Sequence, residues 1–290
     1  MNQSVDQAKT KNGQPESVAI APFVVPLIAY MLIGSFFPKF NSDIESSGAI
    51  ETNAKAADSD KPTGPVRDAQ HSTTVQSVSV DGNRELDANI KRYWQLTAVQ
   101  FLAVGGSLYY WRKFYLQNFP FAVGWLSIVV GIVGAFLWIV LCHFQLEVGL
   151  FESIGLSGNW LGQRSGFNPF QSIQTPWQLV MFLVCRFGLL ILLVPVAEEL
   201  LLRGFLMRFV QRADFQNVRL QDLTLLPLIV GTLYGVLSHP SEAIAAAIWF
   251  SLVSWLMVRT GRFWDCVLAH TVTNGILGVY VITCGQWQLW

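Results

Sequence analysis

Apolar residues in this chain come in blocks close to the length a bilayer demands, and polar residues collect between the blocks. A hydrocarbon core about 30 Å thick takes roughly 20 residues of helix. Read at that length, the chain yields seven spans: Val18–Phe37, Tyr93–Trp111, Phe121–His143, Trp177–Ala197, Leu223–Ser238, Ala243–Val258 and Phe263–Thr283. The fifth and sixth are short. The first is too long for a signal-peptide core and runs into Phe36-Phe37-Pro38 rather than a small-residue cleavage site, so it reads as a retained span. Asn41–Asn89 is rich in Ser, Asp, Ala and Thr and lacks Phe, Trp and Tyr. It reads as a flexible extracytoplasmic insert, unable to bury enough apolar surface to offset its ordering entropy. Val75, Val78 and Val80 hint at a short strand within it. The predicted fold class is all-α, a polytopic membrane helix bundle of about seven transmembrane helices. Its parts are a cytoplasmic tail (1–17), a first transmembrane helix (18–37), the polar insert (38–92) and the remaining bundle (93–290).

Composition supports this picture. The 290 residues are 52% hydrophobic and only 13% charged, about half the charge of a soluble domain, and mean hydropathy is +0.41. The 19 basic and 19 acidic residues cancel, so no net field attracts polyanions and no nucleic-acid partner is expected. The partner that composition implies is the lipid bilayer. Loops after the second, fourth and sixth spans carry Arg112, Lys113, Arg208, Arg212, Arg219, Arg259 and Arg262, and the N-terminal tail adds Lys9 and Lys11. The positive-inside rule therefore puts the N-terminus inside and the C-terminus outside. Cys142, Cys185, Cys266 and Cys284 fall in or at the end of apolar segments without C-x-x-C spacing, as small buried hydrophobes do.

Charged side chains at a span's centre cost about 2.5–3.5 kcal/mol on insertion scales and are functional candidates by default. The fourth span runs into Pro195-Val196-Ala197-Glu198-Glu199-Leu200-Leu201-Leu202-Arg203. Glu199 and Arg203 are four apart and share a helix face, with the acid on the N-terminal side, the better order for a pair. Glu198 lies about 100° round the helix and stays available for chemistry. Pro195 lacks a donor and frees a carbonyl one turn earlier, so a kink or cavity beside the glutamates is expected. The alternative is a helix end at the membrane surface, with both glutamates and the arginine solvated. Arg186, earlier in the span, has no partner assignable from sequence. His270 and Asn274 share a face of the seventh span, and both need partners away from lipid. His239 ends the fifth span because Pro240 disfavours helix at the residue before it.

These groups suit water activation. A carboxylate with a neighbouring imidazole can orient and deprotonate water. A second imidazole and an amide can donate to the oxyanion of a tetrahedral intermediate. Peptide hydrolysis inside the membrane fits the set. There is no H-E-x-x-H, P-loop or Gly-x-Ser-x-Gly motif, and neither a metal nor a cofactor is expected.

Glu198-Glu199-x-x-x-Arg203, the later His239, and His270-x-x-x-Asn274, each on its own apolar span, resemble the CPBP (CAAX protease and bacteriocin-processing) family of intramembrane glutamic endopeptidases. The resemblance covers a core at about 177–290. The tail Gly278-Val279-Tyr280 through Gly285-Gln286-Trp287-Gln288-Leu289-Trp290 is similar to bacterial CAAX prenyl protease-related proteins associated with exosortase systems. Pro26 to Pro38 and the next span are similar to that group too, with the polar insert added. The resemblance implies that Glu198 is the general base for water, assisted by His239. It implies that Glu199 and Arg203 organise the site and that His270 with Asn274 forms the oxyanion hole. The family's second motif usually has Phe four residues before its histidine. Here that position is Gly235, with Tyr234 beside it, which bears on substrate packing more than on catalysis.

The expected function is a multi-pass intramembrane endopeptidase of the bacterial inner membrane. It would hydrolyse a peptide bond of a membrane-associated peptide or protein by glutamate-activated water. Two alternatives stand beside it: a non-catalytic scaffold or accessory protein of an exosortase-type sorting or exopolysaccharide system, and a transporter whose polar cluster lines a pathway. Nothing in the chain specifies a prenylated ligand. Depth poses a constraint. A straight fifth span from Leu223 would put His239 about 24 Å beyond its start, too far across to share a water with Glu198. The expected resolution is a half-span beginning at Pro227 and ending near the midplane, with the following turn buried in protein.

Overall fold

The computed structural model describes residues 20–38, 72–153, 155 and 166–289, with 72–85 as backbone. The predicted tail over 1–17 and most of the insert (39–71) lie outside the described residues. Seven principal helices follow: α1 (Ala21–Gly34), α2 (Ser72–Tyr110), α3 (Trp125–Phe144), α4 (Pro176–Gln211), α5 (Leu225–Ser238), α6 (Ala243–Thr260) and α7 (Phe263–Cys284). Shorter helical pieces, such as Arg112–Asn118 and Leu146–Ser153, join them, and no strand occurs among the described residues. The fold is a polytopic helical bundle.

Helices α3, α4, α7 and Pro240–Thr260, which contains α6, are long and apolar enough to cross a membrane; α1 and α5 are apolar but shorter. Of the apolar window of α3 only 28% is buried, and Ile128, Val129, Ile132, Phe136 and Val140 are exposed along it. Water would not tolerate so continuous an apolar face, whereas hydrocarbon does. Two elements differ from the reading by pattern. Helix α2 starts at Ser72, well before Tyr93, so Val75, Val78 and Val80 lie on a helix rather than a strand. Helix α4 does not end at Ala197 but continues through both glutamates to Gln211.

Backbone satisfaction explains how the helices dock. Pro26 sits inside α1 and has no N–H for the carbonyl of Pro22 one turn earlier. The buried Tyr115 hydroxyl donates to that carbonyl at 2.6 Å, tying α1 to the segment after α2. Gln100 of α2 donates to the Tyr30 carbonyl at 2.8 Å. Helices α3 and α7 approach closely at Gly131. A Cβ there would lie 2.7 Å from the Ala269 carbonyl oxygen, and Thr273 donates to the Gly131 carbonyl at 2.9 Å. At the far end of α4, Arg208 donates to the carbonyls of Gly204, Gln216 and Val218 at 3.1, 2.7 and 2.8 Å. That clamp folds the 212–224 connection under the bundle before α5 begins.

Replacing Tyr115 by Phe removes a donor and leaves a buried carbonyl unsatisfied. The expected cost is about 1–3 kcal/mol, measured as a lowered unfolding midpoint in detergent, with the far-UV helix signal unchanged before the transition.

Candidate active site

The site is built on an interrupted stretch of α4. Gly188–Leu193 and Leu200–Leu206 wind as π-helix and bracket the α-helical Val194–Glu199. In the first π segment the Val194 N–H donates to the Leu189 carbonyl. The Leu190 carbonyl thereby loses its usual α-helical donor, and Pro195 has no N–H for that of Ile191. Helix α7 supplies both. Asn274 Nδ2 donates to the Leu190 carbonyl at 2.9 Å, and Thr271 Oγ1 donates to the Ile191 carbonyl at 2.8 Å. The carbonyl that Pro195 was expected to free is the one Thr271 takes.

The pairing read from spacing is present. Arg203 Nη1 donates to both oxygens of Glu199 at 2.7 and 2.6 Å, and Nη2 donates to the Phe250 carbonyl at 3.3 Å. Both side chains are 0% exposed, so the alternative of a solvated helix end does not hold. His270 stands between the carboxylates. Its Nδ1 lies 3.1 Å from Glu199 Oε1 and its Nε2 lies 3.8 Å from Glu198 Oε2. A carboxylate oxygen at 3.1 Å can only accept, so Nδ1 donates to Glu199 and Nε2 is turned toward Glu198. The Trp249 ring packs edge-on against the imidazole, with centroids 4.6 Å apart. Trp249 is itself held by a hydrogen bond from its indole to Thr273 at 3.1 Å.

A cavity of about 400 Å³ opens beside this cluster. Glu198, His239, His270 and Asn274 all line it, while Glu199 and Arg203 sit behind its wall. The two adjacent glutamates thus divide as their angular separation required. His239 is the residue that ends α5. Its Nδ1 lies 3.2 Å from the Gly235 carbonyl and 2.9 Å from Ser238 Oγ, and Trp138 packs against the ring at 5.4 Å. Helix α5 begins at Leu225, two residues before Pro227, and spans only 14 residues. It is too short to cross a 30 Å core, and its end with the following Pro240–Glu242 turn reaches the cavity wall through His239.

The departure at Gly235 has a structural counterpart. A Cβ at this position would collide with the Phe250 ring of α6, so the aromatic ring enters from the neighbouring helix rather than from the motif itself. Phe250 lies 5.9 Å from the His239 ring and 5.8 Å from the Tyr234 ring. Tyr234 also lines the cavity, together with Glu198. Sequence reasoning assigned no role to Tyr234, Trp249, Phe250 or Thr271. Trp249 and Phe250 sit in an apolar helix and read as core, and only the position of Tyr234 beside the departure signalled it. Among the described residues no three His, Cys, Asp or Glu side chains gather to hold a metal ion. Cys142, Cys185, Cys266 and Cys284 are free thiols, with Cys185 and Cys266 buried.

The fold and site define a helical membrane protein with a carboxylate–imidazole cluster facing an internal cavity. Residues 175–276 match the Rce1-like family, described as type II CAAX prenyl endopeptidase Rce1-like. That segment contains all six residues that carry the CPBP-family resemblance. The description is that of an endopeptidase, so the comparison supports a peptidase. No curated protein and no solved structure matches the chain.

Two stability measurements probe this arrangement. Arg203→Met leaves Glu199 buried without its partner and costs about 3–5 kcal/mol; adding Glu199→Gln recovers a large part of that loss. Gly235→Ala drives a methyl group into Phe250 and costs about 1–3 kcal/mol. Combining it with Phe250→Leu relieves the clash, so the double variant unfolds later than the sum of the two single losses predicts.

Proposed function

We propose that this protein is a multi-pass intramembrane endopeptidase of a bacterial inner membrane. In this reading it hydrolyses a peptide bond of a membrane-associated substrate with water activated by Glu198. The observation that carries the reading is the division of labour between neighbouring carboxylates. Glu199 is sealed in its bond to Arg203, whereas Glu198 faces the cavity together with His239, His270 and Asn274.

The chemistry follows from those positions. Glu198 accepts the proton of a water held in the cavity, and Tyr234 and His239 on the opposite helix fix that water's direction. Attack on the scissile carbonyl forms a tetrahedral oxyanion. His270 flanks it, with Nδ1 anchored on Glu199 and Nε2 on the side of Glu198. Asn274 Nδ2 carries two hydrogens. One is committed to the Leu190 carbonyl, and the other is directed to the oxyanion. Glu198 then returns its proton to the departing amine, which balances the hydrolysis.

Glu198→Gln preserves shape and removes the base. Processing in membranes falls by about 100-fold or more, while protein level and unfolding midpoint stay near wild type. Quantitative comparison of membrane peptides from cells carrying each form then shows uncut precursors accumulating with the variant. Unchanged peptides in the variant would favour the scaffold of an exosortase-type system instead.

A further inference from the structure

A second cavity of about 400 Å³ lies where the connections after α2, α4 and α6 meet. It shares no lining residue with the cavity at Glu198. Arg208, Arg219 and Arg262 line it, and among the described residues no Asp or Glu does. Arg208 is only 8% exposed. Three of its five N–H groups go to backbone carbonyls, and its guanidinium lies over the Phe119 and Phe215 rings. No carboxylate among the described residues meets it, so dipoles and ring faces alone balance its charge. Arg262 gives Nε to Asp265 at 2.8 Å, and that carboxylate is fully buried and also accepts from the Gly124 N–H. The Nη groups of the partly exposed Arg262 side chain donate to no described residue. Arg219, with its side chain 77% exposed, pairs with Asp222 through Nε and Nη2, which leaves Nη1 without a bond among the described residues.

We propose that this cavity binds a phosphate group, carried by an anionic lipid headgroup or present as a free ion. A phosphate offers several acceptor oxygens at once, and guanidinium groups meet them with charge-assisted bonds. Arg219 and Arg262 bring their aspartates with them, so the balance that remains is the positive charge of Arg208, and one bound anion neutralises it. Helix α7 starts on the cavity wall at Phe263, and the positive end of its dipole acts in the same sense. The surroundings suit a lipid. Trp264 gives its indole N–H to the Phe119 carbonyl at 2.8 Å, and Phe121 and Trp125 are exposed, as aromatic residues at headgroup level are. Basic pockets between membrane helices hold anionic headgroups for the same electrostatic reason. The site is independent of the peptidase reading.

Binding tests this without requiring turnover. Full-length protein in neutral detergent is titrated at fixed ionic strength with phosphatidylglycerol, phosphatidylcholine, sodium phosphate or sodium chloride. Binding is read as a raised unfolding midpoint. Phosphatidylglycerol half-saturates at a concentration about tenfold or more below phosphatidylcholine. That preference falls below about twofold in the double variant Arg219→Gln/Arg262→Gln. It is unchanged in Arg259→Gln, which alters an exposed arginine outside the cavity. If sodium phosphate raises the midpoint above the chloride control in wild type and not in the double variant, a free anion suffices; if only phosphatidylglycerol does so, the site reads a lipid. Equal binding of the two lipids together with no effect of phosphate over chloride overturns the site, and so does either effect persisting in the double variant. Arg219→Gln alone removes a surface pair and lowers the preference about fivefold, so the test holds if the double variant does not fold.

Discussion

The arrangement turns on one buried ion pair. Arg203 and Glu199 are withdrawn completely from solvent, and two charges so placed are tolerable only if each satisfies the other and their remaining hydrogen-bonding capacity is met nearby. Glu199 meets this by accepting from Arg203 with both oxygens and contacting the His270 ring; Arg203 meets it in part, its Nη2 reaching the Phe250 carbonyl while its Nε is buried with no hydrogen-bond partner among the described residues. The pair thereby binds α4 to α6 and α7 at a single point. Three of the helices that line the cavity, α4, α6 and α7, are placed relative to it. His270 is oriented between the carboxylates, Phe250 is fixed beside His239, and Glu198 is left as the acid that faces open space.

A second constraint acts on the backbone. In an apolar surround every carbonyl needs a donor, and proline removes one wherever it sits within a helix. The chain answers twice in the same manner. Pro26 frees the Pro22 carbonyl for Tyr115, and Pro195, together with the preceding π turn, frees two carbonyls for Thr271 and Asn274. These bonds convert a local defect into a specific docking point between helices. They also make Asn274 a structural residue as well as a catalytic candidate, because one of its two amide hydrogens holds α4 in register.

Much of the site was legible because it rests on local geometry. Four-residue spacing puts Glu199 beside Arg203 and sets His270 and Asn274 on one face, and an angular step of 100° separates Glu198 from its neighbour. The termination of α5 at His239 follows from Pro240 alone. The contributions of Trp249 and Phe250 were not legible, since an aromatic residue in an apolar helix has the same appearance whether it fills core or walls a cavity. Gly235 looked like a loss in the motif. It is instead the space into which a ring from another helix fits.

By itself, the sequence determined that the chain folds as apolar helices in a membrane, where its charges are concentrated, and which polar residues share a helix face. Those properties depend on hydropathy and on the fixed pitch of a helix, both local. Tertiary structure alone decided that α4 continues through the glutamates, that α2 begins at Ser72, and that His239, Tyr234 and Arg186 reach the same cavity as Glu198. Those outcomes depend on which helices meet and how closely, and that is set by the satisfaction of buried charges and freed carbonyls across elements far apart in the chain.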